Sequence, residues 1–128
     1  MRKGIRREEG SSAGRRTGPL RVLFICSRNR KRSPTAEAVF SDRQDLDVAS
    51  AGLAPDAEEV VTPELLQWAE LILVMEKTHR SRLQRRFGAD IRHAKVGCLD
   101  IPDDYEFMDE RLVKRLQTSV PPLLRRRS

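Results

Sequence analysis

Apolar residues are sparse up to Pro19 and then arrive together in Leu20–Cys26 (LRVLFIC). A near-continuous run of this length suits a strand buried on both faces. A polar, arginine-rich turn follows. Then Pro34–Phe40 (PTAEAVF) predicts a helix with Ser33 as its N-cap and Pro34 at its first position. Asp47–Ser50 (DVAS) predicts a short strand ended near Gly52, and Thr62-Pro63 opens a helix through Leu65, Leu66 and Trp68. Glu70–Met75 (ELILVM) predicts the third strand, Thr78–Phe87 a helix ending at Gly88, and Lys95–Leu99 (KVGCL) a fourth strand. A polar loop from Asp100 to Tyr105 leads to a last helix beginning near Asp109.

Strands that alternate with helices imply a four-stranded parallel α/β sheet with right-handed crossovers and helices on both faces. Ligands of such sheets bind beyond the carboxyl ends of the strands, where the strand order reverses. That rule selects the turn after Cys26 and the loop after Leu99.

The chain has 128 residues and a formal net charge of +6. Residues 1–19 hold six basic and two acidic residues, and Arg125, Arg126 and Arg127 add three more charges. Residues 20–124 carry 16 basic and 17 acidic residues, so the excess lies in the ends. One domain over 20–124 is expected, flanked by a disordered basic tail at 1–19 and a basic tail at 125–128. Such tails can attract polyanions, which is the one route to nucleic acid that composition offers. No apolar run is long enough for a membrane span, and no signal core precedes the first strand. Two cysteines do not make a secreted disulfide framework, so a reducing cytoplasmic setting is expected. His79 and His93 lack partners at ligand spacing, so neither metal nor cofactor is expected.

The stretch that carries chemistry is Cys26-Ser27-Arg28-Asn29-Arg30-Lys31-Arg32-Ser33-Pro34. A cysteine ends the buried strand, five residues follow, and then arginine, serine and a helix. Five residues can wrap backbone N–H groups around a tetrahedral anion, with the helix N-terminus aimed at the same point. Positive potential there favours the thiolate of Cys26, a strong nucleophile toward phosphorus. The Arg32 guanidinium offers a planar fork to two phosphate oxygens, and the Ser33 hydroxyl can donate to sulfur. A leaving alkoxide or phenoxide also needs a proton, and the acidic cluster Asp100, Asp103, Asp104 follows the last strand.

The segment VLFICSRNRKRSPTAEAVF resembles the signature of low-molecular-weight protein tyrosine phosphatases, Cys-x5-Arg-Ser-Pro after a hydrophobic strand. The likeness continues through Ser50–Gly52, Ala69–Lys77 and the acidic loop near Asp103. It implies a phosphomonoester hydrolase working through a cysteinyl phosphate, with Cys26 as nucleophile, Arg32 on the phosphate and Ser33 assisting the thiolate. It also implies a phosphate loop of Ser27, Arg28, Asn29, Arg30 and Lys31, with Asn29 braced by Ser50, and a phosphorylated substrate, phosphotyrosine protein first. The family acid belongs to an Asp-Pro-aromatic motif. Here Asp103-Asp104-Tyr105 stands in its place, which selects Asp103 ahead of Asp104 and Asp100.

Three departures bear on the substrate. Leu53–Val61 (LAPDAEEVV) is shorter than its counterpart and has no aromatic to stack on a phenyl ring. Arg28 stands where the family has glycine, and Arg30 and Lys31 accompany it, either as solvated charges or as receptors for further phosphates. Lys31 also replaces the second loop cysteine of many relatives, which leaves Cys98 as the other thiol, read as structural. These departures keep three alternatives open: a non-protein phosphomonoester, an arsenate-reductase-like thiol enzyme, and a non-catalytic anion-binding module. The run Arg80, Arg82, Arg85, Arg86 reads as a solvated helix face, and Trp68 as core.

Overall fold

The computed structural model describes residues 18–124, so the expected 1–19 tail, apart from its last two residues, and the 125–128 tail lie outside the described residues. Four strands form a single sheet: β1 (Leu20–Cys26), β2 (Leu46–Gly52), β3 (Leu71–Val74) and β4 (Lys95–Cys98). The spatial order is β2-β1-β3-β4 and every pairing is parallel. The order reverses between β1 and β3, which places the turn after Cys26 at the switch point.

Alternation along β1 explains the two-sided core. Val22, Phe24 and Cys26 face one helical layer, and Leu23 and Ile25 face the other. The first layer holds α1 (Arg32–Phe40) and α4 (Glu110–Ser119), which bury Ala36, Phe40, Leu112 and Leu116. Phe24 stacks on Phe40 with ring centroids 6.1 Å apart. The second layer holds α2 (Pro63–Trp68) and α3 (Lys77–Phe87), which bury Leu65, Leu66 and Leu83. Trp68 packs only partly buried at the edge of this layer. Burying each such side chain contributes about 1.5–3 kcal/mol.

The helix after the phosphate loop begins two residues earlier than expected. Ser33 is not its N-cap: the cap position is Lys31, with no side-chain cap, and Ser33 lies inside the first turn. Its hydroxyl is committed elsewhere, to the site described below. The other caps follow sequence. Thr62 caps α2 by accepting from the Leu65 amide at 3.1 Å, and Asp109 caps α4 by accepting from the Arg111 amide at 2.9 Å.

Gly52 is where the fold tolerates no side chain. An added Cβ would stand 2.6 Å from the Ser27 carbonyl oxygen and 2.7 Å from the Ala57 Cβ. That close approach lets Leu53 and Ala54 donate to the Cys26 and Ser27 carbonyls at 3.1 and 2.8 Å. The short 53–61 segment is thereby laid against the phosphate loop.

Candidate active site

The turn after β1 closes tightly because Asn29 adopts a left-handed backbone, φ 55°, which asparagine accepts readily. Its amide then donates to Cys26 Sγ at 3.2 Å. Its side-chain Nδ2 donates to Ser33 Oγ and to Ser50 Oγ, both at 3.0 Å. Ser50 in turn donates to Glu37 Oε1 at 2.5 Å. Ser33 Oγ lies 2.9 Å from Cys26 Sγ. Glu37 accepts only and Asn29 Nδ2 donates only, so the Ser33 proton is left for Cys26 Sγ or for the Ala51 carbonyl 3.4 Å away. The Ser33 hydroxyl and the Asn29 amide converge on a buried thiol.

Arg32 is 4% exposed, yet its guanidinium is matched on several sides. Nη1 donates to Glu76 Oε2 at 2.5 Å and to the Ile101 carbonyl at 2.7 Å. Nε stands 3.7 Å from Asp103 Oδ1. These contacts set the plane of the fork and leave Nη2 without a partner among the described residues. Glu76 and Glu37 are site residues that motif reasoning missed. The available signal for Glu76 was its position, a carboxylate directly after β3 at the switch point; Glu37 had none beyond helical spacing.

The acid-bearing loop is tied down at both ends. The Ile101 amide donates to the Met75 carbonyl at 2.8 Å. Beyond Asp103, Lys31 Nζ reaches Glu106 at 3.4 Å, and the Met108 amide donates to Thr35 Oγ1 at 2.9 Å. Of the three candidate carboxylates, the structure brings Asp103 to Arg32. Asp100 instead lies 3.7 Å from Cys98 Sγ. The Asp104 charge is felt by Arg111 instead.

The basic residues of the loop are not bare. Arg28 pairs with Asp56 at 3.8 Å and Arg30 with Glu58 at 3.6 Å, all four half or more exposed or nearly so. Exposed pairs of this length are worth well under about 1 kcal/mol, so they hold the cations at the rim without neutralising them firmly. Cys98 packs at the margin of the α2/α3 core, whereas Cys26 belongs to the α1/α4 core. The two thiols stand on opposite faces of the sheet, and a direct disulfide between them would need backbone movement. Among the described residues no three His, Cys, Asp or Glu side chains gather as a metal site.

A model of the low molecular weight phosphotyrosine protein phosphatases matches residues 21–70, the stretch holding the cysteine loop, Ser50 and α2. The match covers less than half of the chain and marks a likeness to this family, which supports a cysteine-dependent phosphatase. The YwlE mutant from Bacillus subtilis is 21% identical, with a TM-score of 0.65 over 83% of this chain and 99% of that one. The YwlE arginine phosphatase from Geobacillus stearothermophilus is 22% identical, TM-score 0.61, over 86% and 99%. Wzb from Vibrio vulnificus, in complex with benzylphosphonate, is 25% identical, TM-score 0.58, over 78% and 91%. No curated protein sequence matches the chain.

Two expected results follow from the surroundings of Arg32. Glu76 supplies counter-charge to a buried cation, so Glu76→Gln should lower stability by about 1–3 kcal/mol. Millimolar phosphate should restore the lost stability, because the anion replaces the missing charge. A urea titration with and without phosphate checks this; equal phosphate stabilisation of variant and wild type would contradict it. The second concerns His79, which is buried beside Glu76 and accepts from the Glu76 amide through Nδ1 at 3.0 Å. Burial first, and the Arg32 charge second, push its imidazole down to about 4. The unfolded chain takes up this proton near pH 6.5 and the folded chain only near 4. Stability from His79 is therefore full above pH 6.5 and lost as pH falls toward 4, by about 2–3 kcal/mol in total. Unfolding at pH 7 and pH 4.5 should show a smaller difference in His79→Asn than in the wild type.

Proposed function

We propose that the chain hydrolyses aryl phosphomonoesters, phosphotyrosine in proteins or peptides foremost, through a phosphate carried on Cys26. The observation that supports this most strongly is a pair of clusters carried by the adjacent residues Arg32 and Ser33. Ser33 Oγ and the Asn29 amide lie against the Cys26 sulfur, and the buried Arg32 guanidinium holds Asp103 3.7 Å away.

In this reading the sulfur of Cys26 attacks phosphorus while Arg32 and the loop amides hold the equatorial oxygens. The P–O bond to the leaving group breaks, and protonated Asp103 gives its proton to the departing oxygen. The carboxylate of Asp103 then takes a proton from water, which attacks phosphorus. The S–P bond breaks and the electron pair returns to sulfur, where Ser33 and the Asn29 amide receive it. Ser27, Arg28, Asn29, Arg30 and Lys31 form the cradle, with Asn29 braced by Ser50. The nucleophile is oxidation-sensitive and both cysteines are free, which supports a reducing, cytoplasmic setting.

Substrate choice rests on the rim. Arg28 and Arg30 stand at the rim beside Asp56 and Glu58, and the guanidinium that carries the phosphoryl group in phosphoarginine would meet them as like charge. Phe107, 53% exposed in the acid loop, offers a ring that the 53–61 segment lacks. A panel of an aryl phosphate, phosphotyrosine peptides, a phosphoarginine peptide and a nucleoside monophosphate tests the assignment. The highest kcat/KM is expected for phosphotyrosine peptides. A preference for phosphoarginine would contradict the role given to the rim.

A further inference from the structure

The described body of the protein is electrically lopsided. Residues 77–95 carry seven Lys or Arg and one acidic residue, whereas the rest of 20–124 carries nine basic and sixteen acidic residues. Most of that positive charge is on α3, where Lys77, Arg80, Arg82, Arg85 and Arg86 are all exposed. None of the five is in an ion pair among the described residues. This contrasts with the phosphate loop, whose Arg28, Arg30 and Lys31 each face a carboxylate. Arg80 and Arg86 donate instead to the Val96 and Leu53 carbonyls at 2.8 and 3.1 Å, which fixes their stems without cancelling their charge.

An isolated helix would not be built this way. Arg82 has Arg85 and Arg86 three and four residues on, and each such like-charge neighbour costs a few tenths of a kcal/mol. Lys77 also sits at the positive end of the helix dipole. An anionic partner would offset these costs. Within one helix, four of the five cations are arginine, whose planar fork suits phosphate oxygens. The apolar side of α3, through Leu83, is buried in the core, and none of the large exposed apolar side chains lies on it. Stable membrane anchoring takes an inserted apolar face or a lipid chain in addition to basic charge, and protein partners are held chiefly through aromatic or apolar anchors. A nucleic-acid backbone requires neither.

We propose that the outer face of α3, extended by Arg92 and Lys95, binds the sugar–phosphate backbone of a nucleic acid. The solvated face expected from the arginine run is in this reading an occupied one. Binding is electrostatic and independent of base sequence, as backbone contacts by arginine are. The inference does not depend on the phosphatase chemistry, since it uses no residue of the cradle.

The test is fluorescence anisotropy of a labelled single-stranded oligonucleotide with the full chain, titrated at several salt concentrations. The basic ends remain in place, so the comparison is with Arg82→Glu/Arg85→Glu. The variant is expected to bind at least about tenfold more weakly, with the salt slope reduced by about 1.4, or about 0.7 for each lost phosphate contact. The far-ultraviolet circular dichroism and the unfolding midpoint should stay close to those of the wild type, which certifies the fold. Should the reversed charges unfold the helix, Arg82→Ala/Arg85→Ala gives the same reading with a smaller loss. Wild type failing to bind at low salt, or a folded variant binding as tightly as wild type, would overturn the proposal. So would tighter binding to phosphatidylserine vesicles than to the oligonucleotide, which would assign the face to a membrane.

Discussion

Cys26→Ser is expected to abolish turnover while the protein stays folded and still binds inorganic phosphate. A serine hydroxyl remains protonated near neutral pH and is a poor nucleophile toward phosphorus, even in a cradle built for an anion. The donors that converge on Cys26 Sγ, from Ser33 at 2.9 Å and Asn29 at 3.2 Å, come from side chain and backbone that the substitution leaves in place. Phosphate should therefore still raise the unfolding midpoint of the variant. A variant here that kept a substantial fraction of wild-type activity would mean that Cys26 forms no covalent intermediate.

The second large effect is expected at Asp103. Asp103→Asn should slow phenyl and alkyl phosphates by about 10²–10⁴-fold, the range for a lost general acid. An aryl phosphate with a good leaving group departs without a proton and should lose far less. Asp100→Asn and Asp104→Asn should show no such dependence on the leaving group. Asp100 faces Cys98, and Asp104 lies toward Arg111. Leaving-group dependence in Asp104→Asn would move the proton donor one residue along. Its absence in all three would leave the loop without a catalytic acid.

The alternation of strands and helices was legible because each strand is a dense apolar run. Leu20–Cys26 and Leu71–Val74 are buried on both faces, so hydrophobicity alone marks them. Boundaries were less legible where a side chain serves the site. Ser33 looks like an N-cap by type and by the proline after it, yet its hydroxyl bonds to sulfur and to Asn29. The loop showed in the sequence because cysteine, arginine and serine are close along the chain. The partners that orient it did not, because they arrive from other elements. Glu76 reaches Arg32 across 44 residues and Glu37 reaches Ser50 across 13. The pairing of Arg28 and Arg30 with Asp56 and Glu58 was equally hidden, since only the close approach at Gly52 brings the acidic segment alongside.

The most direct test of the covalent chemistry is rapid acid quenching during turnover of an aryl phosphate with a good leaving group, followed by mass spectrometry of the peptide containing Cys26. Asp103→Asn is the form to use, because this leaving group departs without the acid while water activation slows with the loss of the base, so the intermediate accumulates. One phosphoryl group on Cys26, appearing at the rate of aryl alcohol release and absent from Cys98, is the result predicted here. Turnover that proceeds with Cys26 unmodified at every quench time, or with phosphate on another residue, would contradict it.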